Sequence, residues 1–141
     1  MKHNEWSKWE LQPGFDAANA YNLLRLHENI NRHILTIELV AINTPGHSVK
    51  ISINAVFACR QVTLAASSDF LMSEFAIDKQ HPGAFHQVSN SDFINSLYEG
   101  SARFYDAEGF THLVIVTTTC IIEFAALNFN DEMITVEKVE L

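Results

Sequence analysis

The sequence predicts an α+β domain built on a predominantly antiparallel sheet of about seven strands with two short helices. Three observations lead there. β-branched and aromatic residues recur in alternation with polar ones, the period-two pattern of half-buried strands. The alternating runs follow one another across short turn signals instead of being separated by long helical segments, which argues against a doubly wound parallel sheet. Of 141 residues, 48% are apolar and 18% charged, enough to build a hydrophobic core in a single globular domain spanning 1–141.

The chain opens with Trp6 and Trp9 ahead of Pro13-Gly14, spaced to share one face of a short helix that covers the core. Asp16 is placed to cap a helix running from Ala17 to His27, with Ala17, Ala20, Tyr21 and Leu24 on one face. A strand over 17–28 is the competing reading, because Leu24 and Leu26 alternate with Leu23, Arg25 and His27. The helix is the favoured reading.

Residues 34–42 (ILTIELVAI) form a strand, with Leu35, Ile37 and Leu39 on one face and Thr36 and Glu38 on the other. Thr44-Pro45-Gly46 then turns the chain, and Val49, Ile51 and Ile53 alternate with Lys50, Ser52 and Asn54, so the two runs read as an antiparallel hairpin. A third strand is expected within 57–65 around Val62 and Leu64, and a short edge element near Phe75 and Ile77. Residues 78–90, with His81-Pro82-Gly83 and few large aliphatics, read as a long surface loop. Asn90 or Ser91 caps a helix striped by Phe93, Ile94 and Leu97 and ended by Gly100. Two strands follow, 112–117 and 120–127, separated by Thr118-Thr119. Residues 128–132 turn the chain into a terminal strand over 133–141.

Charge and composition narrow the function. Seventeen Asp and Glu against nine Lys and Arg give a net charge of −8, with no basic stripe, so nucleic acid is an unsuitable partner and a basic protein suits the chain better. No apolar run at the start resembles a signal peptide, and 113–127 is interrupted by Thr117, Thr118, Thr119 and Glu123, too polar for a bilayer helix. A cytoplasmic protein without a membrane partner is the expectation. Cys59 and Cys120 sit in apolar segments and read as buried thiols, not as a disulfide framework.

The motifs of familiar chemistry are missing. His27 with His33, His81 with His86, and His112 near Cys120 lack the tight pairing of zinc ligands, so no metal and no cofactor is expected. The five glycines form no phosphate loop or dinucleotide fingerprint, and there is no nucleophile-elbow serine. Asp69, Glu74 and Asp78, and again Asp106 and Glu108, are grouped carboxylates of the sort usually found on solvated faces. From Glu123 onward five acids (Glu123, Asp131, Glu132, Glu137, Glu140) face one base, Lys138, for a net −4. Alternating along a strand, they would form an outward negative patch that steers a cationic partner.

Phe15-Asp16-Ala17, the strand 34–39 (ILTIEL), then 49–53 (VKISI) and Val62-Thr63-Leu64 together resemble small bacterial immunity-type proteins, with Phe15 standing where that family usually carries His. The resemblance covers the first half of the chain. It implies an acidic α+β domain that neutralises a toxin by binding it, and no catalytic residue. The leading expectation is therefore an acidic protein-binding domain, with Glu123, Asp131, Glu132, Glu137 and Glu140 as the partner-binding candidates. The alternative is a small enzyme or ligand-binding domain whose pocket lies near the His81–His86 loop, with His81, His86 and His112 lining it. Self-association through a sheet edge, giving a homo-oligomer, is the third reading.

Overall fold

The computed structural model describes residues 5–8, 21–42, 46–63, 85–89, 91–100 and 109–140. These residues form two antiparallel sheets. The strands are β1 (Glu5–Lys8), β2 (Tyr21–Asn29), β3 (Ile34–Ala41), β4 (His47–Ile53), β5 (Val56–Thr63), β6 (Phe85–Ser89), β7 (Phe110–Val116), β8 (Cys120–Leu127) and β9 (Ile134–Glu140). One α-helix, α1 (Asp92–Gly100), and a single 3-10 turn (Asp131–Met133) complete the described elements. One sheet has the order β1-β6-β7-β8-β5 and the other β2-β3-β4-β9.

The fold is therefore mostly β, and this corrects the expected α+β class with its seven strands and two helices. The described residues carry nine strands and one helix. Alternation along a strand shows which face is apolar but not which element covers it. Here a second sheet takes the place expected for helices.

The element-level corrections have local causes. Residues 21–29 are strand β2, not helix, and the register shifts between Leu23 and Arg25, where Leu24 is the extra residue of a bulge. That bulge breaks the period-two pattern and places three leucines close together, which reads as helix. Trp6 lies in strand β1, paired with Val88, and not in a helix; Trp9 falls outside the described residues. Within the expected loop 78–90, residues 85–89 are a strand held between β1 and β7. The edge element near Phe75 and Ile77, and the carboxylate groups at 69–78 and 106–108, lie outside the described residues. The β3–β4 hairpin, the helix ended by Gly100 and the strands at 120–127 and 134–140 stand where the sequence places them.

The core lies between the sheets. From the four-stranded sheet it takes Leu35, Ile37, Leu39, Ile51 and Ile53, all 0% exposed, and from the other Phe85, Leu113, Ile115, Ile122 and Phe124. Each such side chain contributes about 1.5–3 kcal/mol of transfer free energy. The outward face of the four-stranded sheet is polar: register aligns Arg25, Glu38, Lys50 and Glu137 in one row of alternating sign, with Arg25 and Glu38 ion-paired at 3.4 Å. The outward face of the five-stranded sheet differs. α1 packs there, with Ile94 against Phe110 and Ala125 and with Phe93 and Leu97 beside them. A separate apolar group of Val88, Val114 and Ile121 lies on the same face. β8 is consequently buried on both faces, which accounts for its nearly continuous apolar run.

Candidate functional site

The polar groups of the covered face form one connected chain. Strand register puts His112 of β7 diagonal to Glu123 of β8, and Arg60 of β5 directly opposite Glu123. Ser91, immediately before α1, caps the helix: its Oγ accepts the Ile94 N–H at 3.0 Å, and its carbonyl accepts the Asn95 N–H. The same Oγ lies 2.7 Å from His112 Nδ1, and His112 Nε2 lies 2.9 Å from Glu123 Oε1. Arg60 closes the chain, donating from Nε at 2.7 Å and Nη2 at 2.6 Å to Glu123 Oε2.

The partners assign the protons. Glu123 accepts, so Nε2 of His112 carries hydrogen, and in the neutral ring Nδ1 accepts the Ser91 hydroxyl, whose oxygen in turn accepts from Ile94. Every polar atom in this sequence of contacts is satisfied. Glu123 is 0% exposed, His112 3% and Ser91 6%, whereas the Arg60 side chain is 50% exposed. Phe93 from α1 lies over both neighbours, its ring 4.9 Å from the His112 ring and 5.0 Å from the Arg60 guanidinium carbon.

Serine, histidine and carboxylate in hydrogen-bonded order resemble an acyl-transfer triad, but the roles differ. The Ser91 oxygen is a helix cap under cover, with one lone pair already given to the Ile94 N–H, and it meets Nδ1 rather than Nε2. What the arrangement does chemically is lock α1 to the sheet and neutralise a buried carboxylate.

The sequence-derived candidates separate accordingly. Glu123, expected on the outward acidic patch, is instead the buried centre of this chain. Glu132, Glu137 and Glu140 are exposed, and Asp131 opens the 3-10 turn before β9. Of the histidines proposed to line a pocket, His86 is 2% exposed in β6 and His112 is 3% exposed in β7, on the same face of the sheet; His81 falls outside the described residues. His112 and Cys120 occupy opposite faces, Cys120 lying in the inter-sheet core within 3.3 Å of Thr117 Oγ1. Among the described residues no group of three or more His, Cys, Asp or Glu is placed to hold a metal ion.

A cleft that the sequence reading missed lies at one end of the sandwich, between the β2–β3 turn and the start of β5. Glu28, Ile30, His33, Phe57 and Cys59 line it. Burial first, and then a hydrogen bond to Glu28 and the nearby carboxylates, push the Cys59 thiol up from 9.0 to about 12. Nothing in the spacing of these residues announces the cleft, because Glu28 and Cys59 are brought together only by the crossing of two sheets.

Comparison with known proteins adds no assignment: no family model matches the chain, and neither does any curated protein or solved structure. No helix among the described residues is long and apolar enough to cross a membrane.

Proposed function

We propose that this chain is a recognition domain that binds a cationic protein, acting in the cytoplasm as an inhibitory or immunity-type partner. The observation that carries the reading is the exposed set Glu132, Glu137 and Glu140 on and before β9, within a chain of net charge −8. Among the described strands β9 pairs only with β4, so it is a sheet edge whose outer backbone groups can accept a further strand. Along β9, Glu137 projects to the outward face beside Lys50, and Lys138 and Glu140 project to the other. Complementary charge of this moderate density steers encounter more than it tightens the complex, so binding is expected to weaken with salt.

The test is affinity capture on immobilised protein, comparing the native chain with a Glu132→Lys/Glu137→Lys/Glu140→Lys variant. A basic protein retained by the native chain at low salt, released as salt rises and lost from the variant, is the expected result. Equal retention by the variant removes the acidic edge from the account.

A further inference from the structure

The cleft at the end of the sandwich has the chemistry of a subsite. The β2–β3 turn is tied to β5 there by the Val56 N–H donating to His33 O at 2.9 Å. The space between them measures ≈ 140 Å³. One wall carries the Glu28 carboxylate. Cys59 hydrogen-bonds to it, and burial together with that bond keeps the thiol protonated. Another wall carries the His33 and Phe57 rings, stacked on each other with centroids 4.2 Å apart and planes 17° apart. Ile30, 75% exposed, lies at the mouth. His33 (φ 56°) and Ala55 (φ 57°) hold left-handed backbone without being glycine, so the turns that shape the cleft are held against local preference.

The occupant follows from these groups. We propose that the cleft binds a guanidinium, the side chain of an arginine presented by the cationic partner, with Glu28 as its counter-ion. The inference rests on the reading of the chain as a partner for a basic protein and supplies that interaction with an anchor. A guanidinium fits better than an ammonium, because it is planar, more weakly hydrated, able to stack on aromatic rings and able to form two parallel bonds to one carboxylate. The exposed Ile30 offers apolar contact for the aliphatic stem. Arginine is also the charged residue most enriched among interface hot spots. The Asn54 N–H donates to Met133 O at 3.0 Å, which puts the turn carrying Glu132 at the same end of the molecule as Ala55 and the cleft. Arg32, exposed in the β2–β3 turn, adds a positive charge to the segment that carries the cleft.

The experiment is a backbone-amide NMR titration of the full chain with N-acetyl-arginine amide and, separately, its uncharged isostere N-acetyl-citrulline amide. The arginine probe is expected to shift amides clustered in 28–34 and 56–59, and the citrulline probe to leave them unmoved. Glu28→Gln should weaken binding about five- to tenfold, the scale of one charge-assisted pair. Arg32→Gln should tighten it about twofold by removing a like charge, and it keeps the test decisive should Glu28→Gln lose its dispersed spectrum. Equal shifts with citrulline, shifts scattered over the surface, or no shifts overturn the subsite. If the arginine probe fails while the β9 charge-reversal variant still loses its cationic partner, the subsite falls and the recognition reading stands. If the probe titrates the cleft and the β9 variant retains its partner, the acidic edge falls and the cleft stands.

Discussion

At the residue scale the governing fact is that Glu123 is ionic, buried and answered from two sides. His112 holds one oxygen and Arg60 the other, and only Arg60 reaches solvent. Removing one partner of a buried pair costs more than removing both, since the survivor is left desolvated without compensation. Arg60→Met should therefore destabilise the protein by about 3 kcal/mol, the low end for such a loss because Arg60 is half exposed. Adding Glu123→Gln to Arg60→Met should recover part of that loss, and urea unfolding of the single and double variants measures the difference; additive costs would show that the pair is not coupled. Cys59 gives a second prediction. With its thiol raised to about 12, alkylation by iodoacetamide at pH 8 should be about a thousandfold slower than for a free thiol, until the chain is unfolded. The linkage has a definite sign: from pH 9 upward the unfolded chain releases this proton while the folded chain keeps it. The contribution of Cys59 to stability is constant below that pH and falls as pH rises toward 12, and Cys59→Ala should flatten that alkaline slope in a pH series of melting points. None of these pairings was legible in the sequence. Arg60 and Glu123 lie 63 residues apart, and a glutamate in an apolar run reads as an outward charge unless register puts an arginine and a histidine on its face.

At the element scale, α1 is the piece whose position depends most on a single side chain. Ser91 caps it and tethers it to β7 through His112, so Ser91→Ala removes two bonds at once. The cap alone is worth about 1 kcal/mol, and the buried Nδ1 left without its donor adds about 1–3 kcal/mol. A loss of about 2–4 kcal/mol is expected, against the few tenths that an exposed serine in mid-helix would cost. Thermal melts measure the total, and hydrogen exchange should show α1 amides opening before those of β7 and β8; uniform opening would mean that the helix is not a separate low-stability unit. This helix was legible because cap, stripe and terminal glycine agree within ten residues of sequence. β3 and β4 were legible for the same reason, their clean alternation matching a sheet with one face in the core and one in water. β2 was not, because a bulge breaks its period, nor was β6, whose His86 and Gln87 conceal a strand buried by neighbours that are distant in sequence.

For the whole molecule, the question left by the sequence was what covers the apolar faces of its strands, and the answer is other strands. Side chains from β2 through β9 meet in one cluster between the sheets, so neither sheet keeps its inner face covered without the other. Two consequences follow for unfolding. The sheets should be lost together, and a defect in the shared core should lower the stability of both equally. Phe124 is the sharpest probe, since it is 0% exposed in β8 and lies within that common cluster. Phe124→Ala should cost about 3–5 kcal/mol, a large part of the 5–15 kcal/mol typical of a domain. Near-ultraviolet and far-ultraviolet circular dichroism should nevertheless trace one coincident urea transition, moved to lower concentration with its slope unchanged. If β2, β3, β4 and β9 persisted after the near-ultraviolet signal was lost, the four-stranded sheet would have a core of its own. The acidic edge would then belong to a unit able to hold its shape without the helix-bearing sheet, whereas the cleft, walled in part by Phe57 and Cys59 of β5, would be lost with that sheet. A single transition ties both to the integrity of the sandwich, so that any variant weakening the core would weaken partner binding by depleting the folded state, with no change at the binding surface.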